Sequence, residues 1–349
     1  MTAETRIAAG THSWHIKLGH SRADLSGKLD QGFKAGLDES APQLSKSGVR
    51  NLIGKIDVPP FAEGGNSMTS GLAKLRQQIR LQKNDWVQQY FQWRIESATA
   101  PYHLRGRAKP YRILFILSHM RSGSSLLTHI INANPAVIGY GETHVEYAST
   151  HDFNTLLKKV YWQTQDFRGP GDLKNLRMDH AYVMDKVLHD KKFISEDFLH
   201  HDQVYALFLL REPARSLNSI LDLKPHWNEQ DALDYYCGRL KTLARYAELI
   251  GTPARMMVVT YEQMLEKTPD ALATLQQFLQ TPVPFSEEYR VLKTTGMKGV
   301  GDPKGNIKAG KIVRSQRPLS RKFNPDLLQQ AQDTYQSVSD QLFQRCRSI

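Results

Sequence analysis

At 349 residues the chain can bury a large core as one domain or two, and 40% hydrophobic with 23% charged residues is the ordinary balance of a soluble globular protein. No apolar run approaches the ~20 residues of a membrane span. The first ten residues lack the apolar core of a cleaved signal, and Cys237 and Cys346, the only cysteines, exclude a disulfide framework, so a cytoplasmic protein is expected.

A formal charge of +11 calls for an anionic partner; nucleic acid and an anionic nucleotide, the latter with an acidic acceptor, account for it equally. The basic residues are spread along the chain, however, and no nucleic-acid motif stands out.

Residues 1–70 are rich in Gly, Ser, Lys and Asp, with a break at Pro59 and Pro60, a composition that predicts an irregular extension. From Ser70 to about Ser97, Leu72, Leu75, Ile79, Trp86, Tyr90, Trp93 and Ile95 interleave with Lys, Arg and Gln, as in an amphipathic helix. Its apolar side is expected to pack on the core, with an acceptor cleft or a homodimer surface as alternatives. A basic linker, 102–110, leads to residues 112–117, five of the six apolar, which read as a strand buried on both faces. A small-residue loop around Gly123 follows. Leu126, Leu127, Ile130 and Ile131 then predict a helix ending near Asn134, before Pro135.

Further strands are expected at 136–140, 182–187, 205–210 and 255–260, and helices at 153–161, 213–223, 229–250 and 269–279. Pro213 suits the first turn of its helix. The alternation implies an α/β protein: a P-loop-like parallel sheet flanked by helices, over residues 106–349, preceded by an irregular and then helical N-terminal extension over 1–105.

Ligands of such sheets gather at the carboxyl ends of the strands. Four short stretches fall there: 121–125, 142–144, 185–186 and 211–219. In the first, strand, loop and helix direct backbone N–H groups at a helix N-terminus, a site for an anion, and Arg121 adds a planar guanidinium suited to phosphate or sulfate oxygens. Ser122, Ser124 and Ser125 would serve equally as helix caps.

The pair of motifs Arg121-Ser-Gly-Ser-Ser-Leu126 and Arg211-Glu-Pro-Ala-Arg-Ser-Leu-Asn-Ser219 resembles the sulfotransferases that use 3′-phosphoadenosine 5′-phosphosulfate, over about residues 110–312. The resemblance implies that Arg121, Ser122, Gly123, Ser124 and Ser125 hold the 5′-phosphosulfate. It also implies that Arg211 and Ser219, eight residues apart in that family too, hold the 3′-phosphate. Gly141-Glu142-Thr143 is similar to the base-bearing segments of the tyrosylprotein and heparan types, which makes Glu142 the candidate general base, with Glu146 and His144 as rivals. Lys186 resembles a lysine that stabilises the leaving phosphate. The histidine that follows it in cytosolic members would fall on Leu188, one position before His189, and this departure favours Glu142. Tyr261 resembles a residue near the adenine. Lys298 and Gly299 resemble part of a loop that closes over the nucleotide, although Pro303 stands where that loop has Trp.

The implied activity is sulfuryl transfer to an acceptor hydroxyl, by analogy on a glycan or glycolipid. No metal is implied, since in-line sulfuryl transfer does not require one and no Cys/His cluster has metal spacing. Two other readings compete. A P-loop kinase would need Gly-x4-Gly-Lys-Ser/Thr, whereas this loop has one glycine and no lysine before its hydroxyl residues. A non-enzymatic polyanion or nucleic-acid binding protein would use the basic surface without needing Glu142 or the Arg211/Ser219 pair.

Overall fold

The computed structural model describes residues 5–9, 12–16, 67–98, 100–164, 176–193, 195–292, 295, 305–314, 319 and 321–349. The chain divides into two units, Met1–Ala73 and Lys74–Ile349. In the first, β1 (Thr5–Ala9) and β2 (His12–Ile16) pair antiparallel, a hairpin within the stretch whose composition suggested irregular chain.

Helix α1 (Ser67–Glu96) runs into the second unit, where Val87, Phe91 and Ile95 are buried at spacings of four. Its Arg94 is also buried, and donates to the carbonyls of Arg105, Leu176 and Arg177, so that its guanidinium ties the helix to two other chain segments.

The sheet of the second unit consists of β3 (Arg112–Ser118), β4 (Val137–Ile138), β5 (Tyr182–Val187), β6 (Val204–Leu210) and β7 (Met256–Thr260). It is parallel throughout, in the order β4-β5-β3-β6-β7. β3 lies at the centre, with Ile113 opposite Val183 on one side and Val204 on the other. Ile113, Phe115 and Leu117 face one half of the core while Leu114 and Ile116 face the other. Both faces are covered, which is why the strand reads as an unbroken apolar run. Early crossovers from β3 go to the β4 side and later ones to the β7 side. The carboxyl end of β3 is therefore the switch point, where a ligand crevice is expected.

Helix α2 (Ser124–Asn132) follows β3, and α3 (Asp152–Thr164) precedes β5. Helix α4 (Pro213–Leu223) starts on β6 with Pro213 in its first turn, and the Glu212 carboxylate accepts from the N–H groups of Ala214 and Arg215. Helix α5 (Glu229–Ile250) opens on an Asn228/Asp231 capping box and ends at Gly251 in the left-handed region. Helices α6 (Tyr261–Glu266) and α7 (Thr268–Leu279) follow β7.

Two expectations change. The strand expected over 136–140 contracts to Val137–Ile138. The Gly139 N–H donates to the Asn132 side chain at 2.7 Å instead of to a sheet neighbour, and Gly141, at φ 126°, turns the chain away. A long helix, α8 (Pro325–Arg345), also appears where no element was expected. Its signals are present in the sequence: an Asn324 cap, Pro325 in the first turn, and Ala331, Val338 and Leu342 on a buried face. It packs against α5 and α4, and beyond it Arg347 pairs with the edge of β7. Among the described residues no helix is long and apolar enough to cross a membrane.

Candidate functional site

The loop after β3 turns on two residues with positive φ, Arg121 at 66° and Gly123 at 93°. Such reversals point successive N–H groups inward, toward the start of α2, whose own first N–H groups have no helical acceptor. Gly123 caps α2 with no side chain involved, so the flanking serines do not serve as the cap. A Cβ on Gly123 would lie 2.6 Å from Cε2 of Tyr261, and closer still to Cδ2. Glycine is thus required twice, for backbone and for space. Gly123→Ala should cost about 1–2 kcal/mol for the left-handed backbone and about 1–3 kcal/mol for overpacking. Made in a Tyr261→Ala background, and measured against that background, the same substitution should cost only the first part. Denaturant titration of the single and double variants measures both, and an unchanged midpoint in the single variant would contradict the geometry.

Five of the residues singled out in the sequence meet around this loop. The Arg121 Nε–H donates to Ser219 Oγ at 2.8 Å, and Arg211 Nη1 donates to the Arg121 carbonyl at 2.9 Å. The Arg211 guanidinium also lies 4.4 Å over the Tyr261 ring, the same ring that closes on Gly123. The eight-residue spacing of Arg211 and Ser219 works because α4 carries Ser219 two turns beyond the end of β6.

Buried polar atoms without a partner within the protein concentrate here. Among the described residues they include Ser118 Oγ, His119 Nε2, Ser122 Oγ, Arg211 Nε and Glu262 Oε2 at or just past the strand ends, with Thr128 within α2 and Tyr102 elsewhere. Buried polar groups are nearly always satisfied, so such a cluster marks a place built for a polar guest. Ser122, in the loop before α2, and Arg211, bonded to the Arg121 carbonyl, fit an anion. Burial raises the pKa of the Glu262 carboxyl, and the charge of Arg211 opposes that.

A second group stands at the ends of β4 and β5. Lys186 lies within β5 itself, almost fully buried, with its ammonium 3.3 Å from the Glu142 carboxylate. Next to it the buried Asp185 carboxylate accepts from the Thr143 N–H at 2.9 Å, the Thr143 hydroxyl at 2.8 Å and the Tyr147 hydroxyl at 2.7 Å. Burial raises the pKa of Asp185, and these donors pull it back. Asp185 thereby pins the loop that carries Glu142. The rivals to Glu142 are differently placed: Glu146 is exposed and 3.6 Å from Lys192, and His144 is exposed with φ 55°.

Helix α5 connects the two groups. The Tyr235 hydroxyl accepts from the Met120 N–H at 2.8 Å, in the anion loop, and donates to the Leu188 carbonyl at 3.1 Å, just past β5. Tyr236 donates to the Arg211 carbonyl at 2.7 Å. Arg239, fully buried, donates to the carbonyls of Ser118 and Val187 at 3.0 and 2.8 Å and pairs with Asp190. Sequence reading missed these three residues, although an arginine inside the buried face of a long helix is a signal that carbonyls or an acid await it. Lys298 and Gly299 lie outside the described residues. Among the described residues no three His, Cys, Asp or Glu side chains gather as metal ligands would.

No family model matches the chain, and no curated protein does either. Among solved structures it is similar to a sulfotransferase domain from the curacin biosynthetic pathway, with a TM-score of 0.44 and 16% identity over 66% of this chain and 99% of that one. It is also similar to the sulfotransferase domain of the Synechococcus PCC 7002 olefin synthase, with a TM-score of 0.43 and 18% identity over 65% and 96% of the two chains. Likeness at this level carries no chemistry across; the residues above have to supply it.

Proposed function

We propose that the protein transfers a sulfuryl group from 3′-phosphoadenosine 5′-phosphosulfate to an acceptor hydroxyl, on a carbohydrate or glycoconjugate, with Glu142 as general base. The observation that carries this reading is the joining of two anion-binding elements in one cluster. The loop amides with Arg121 and Ser122 suit a phosphosulfate, while Arg211 and Ser219, tied to that loop through Arg121, suit a second phosphate on the same ligand. A nucleotide with anionic groups at both 5′ and 3′ positions matches two such elements, and Tyr261 offers its ring beside them.

In the reaction, Glu142 takes the proton of the acceptor hydroxyl as its oxygen attacks sulfur. The bond from sulfur to the bridging phosphate oxygen breaks, and 3′,5′-adenosine bisphosphate departs. Lys186 and Arg121 offset the charge that grows on the leaving oxygen. Lys186, 3.3 Å from Glu142, stands at the base and is the natural link between acceptor activation and departure.

Calorimetry with 3′,5′-adenosine bisphosphate and with ATP·Mg tests the reading. The bisphosphate should bind and ATP·Mg should not; tighter binding of ATP·Mg would favour a kinase instead. Arg211→Ala should weaken the bisphosphate by about 10-fold or more while changing 5′-AMP little, since a charge-assisted hydrogen bond is worth about 1.5–3 kcal/mol. Equal losses for both ligands would remove Arg211 from the 3′-phosphate site.

A further inference from the structure

Rings gather around Tyr235, whose hydroxyl bonds both the loop after β3 and the chain just past β5. Tyr235 is the middle one: Trp227 lies 5.8 Å away at 54° and His189 6.4 Å away at 57°, with His226 a further 6.5 Å beyond Trp227. Tyr235 is held rigidly, because its hydroxyl is engaged by Met120 and Leu188. Trp227 and Tyr235 are half-buried, while His189 and His226 are exposed, so the arc opens to solvent. Leu188, which accepts from Tyr235, and His189 follow directly on β5, the strand whose Lys186 pairs with Glu142, so the arc lies near the end of that strand.

Three cations near this arc already have carboxylate partners. Lys186 is matched by Glu142, Lys192 by Glu146 and Arg239 by Asp190. Lys224, 5.7 Å over the Trp227 ring, has no carboxylate partner among the described residues. Desolvation by the neighbouring side chains, then the charges of Arg239, Lys192 and Lys224, lower the pKa of His189, against Glu142, so at pH 7.5 the imidazole is neutral and the cation over the Trp227 ring is Lys224.

We propose that Trp227, Tyr235 and Lys224 form an acceptor subsite that takes a ring bearing an anionic substituent. The ring lies against Trp227, whose flat face offers contact area at small entropic cost, and the substituent meets Lys224. This rests on the sulfuryl-transfer reading only in that Glu142 marks the reacting end. A sugar acid and an aryl acid share the required chemistry.

Two probe pairs distinguish them, each pair differing in one carboxylate: methyl β-glucuronide with methyl β-glucoside, and 4-hydroxybenzoate with phenol. Each is titrated by NMR at pH 7.5 into wild-type protein, with and without 3′,5′-adenosine bisphosphate. The anionic member of one pair should bind roughly five-fold tighter than its neutral partner, the upper range for an exposed ion pair. Which pair does so names the ring. Lys224→Met should abolish the preference, and Trp227→Leu should weaken both members alike, with bisphosphate affinity unchanged in both variants. The subsite is overturned if neither pair shows a preference, or if the preference survives Lys224→Met. Failure of the bisphosphate to bind would count against sulfuryl transfer alone, since the titrations without it still decide the subsite.

Discussion

Glu142→Gln should lower the sulfuryl-transfer rate by a factor of about 10²–10⁴, the contribution of a positioned general base, while leaving the affinity for 3′,5′-adenosine bisphosphate intact. The amide preserves the shape of the side chain, and its oxygen can still accept from Lys186, the partner of the present carboxylate at 3.3 Å. What it cannot do is take a proton. Glu146→Gln and His144→Asn serve as controls, because the first removes an exposed charge facing Lys192 and the second an exposed ring. Each should stay within a few-fold of wild type, the reach of a surface ion pair of about 1 kcal/mol or less. A Glu142→Gln enzyme at nearly full rate would end the assignment, and a deep loss in Glu146→Gln would transfer it.

Acid should destabilise the fold through His119. This residue follows β3 and is fully buried, its ring 4.9 Å from Tyr236. Its Nδ1 lies 2.8 Å from the Met120 carbonyl, which can only accept, so Nδ1 carries the proton in the neutral ring and Nε2 has none. Burial, followed by the charges of Arg211 and Arg239, pushes the pKa down to about 3. The unfolded chain therefore binds a proton below about pH 6.5 that the folded chain refuses until about pH 3. Stability is fully present above pH 6.5 and falls with acid at a limiting slope of about 1.4 kcal/mol per pH unit, or roughly 3 kcal/mol by pH 4.5.

Asp185 and Glu262, whose pKa values are raised by burial, act with the opposite sign near their own titration. The informative quantity is the difference from a His119→Asn variant, which keeps a donor for the Met120 carbonyl and cannot titrate. Urea titrations from pH 7 to 4.5 should show a steeper loss in wild type than in the variant; parallel curves would mean that His119 does not resist protonation.

The legible parts of the fold were those written in consecutive residues. The central strands are covered on both faces, so they read as apolar runs, and their alternation with helices gave the parallel sheet. Arg211 and Ser219 stood out through the resemblance of their motif to a family, and both meet the loop after β3, while Gly123 was visible because a loop after a strand needs it. Less legible were pairings between distant segments: Tyr235 meets Met120 across 115 residues, and Asp185 meets Thr143 across 42. No local pattern encodes such contacts. The end of β4 was overrun because the diversion of the Gly139 N–H to Asn132 is a tertiary event. Helix α8 is different, since its Asn324 cap, Pro325 and the stripe of Ala331, Val338 and Leu342 are local signals plain in the sequence.

Helix α5 fastens the ends of three strands with residues inside a single turn: Tyr235 and Arg239 at β3 and β5, Tyr236 at β6. Releasing any one strand end means breaking bonds made by the same turn that holds the other two. Hydrogen exchange at the Met120 amide and at the ends of β3, β5 and β6 should therefore slow or quicken together, as parts of one cooperative unit rather than three.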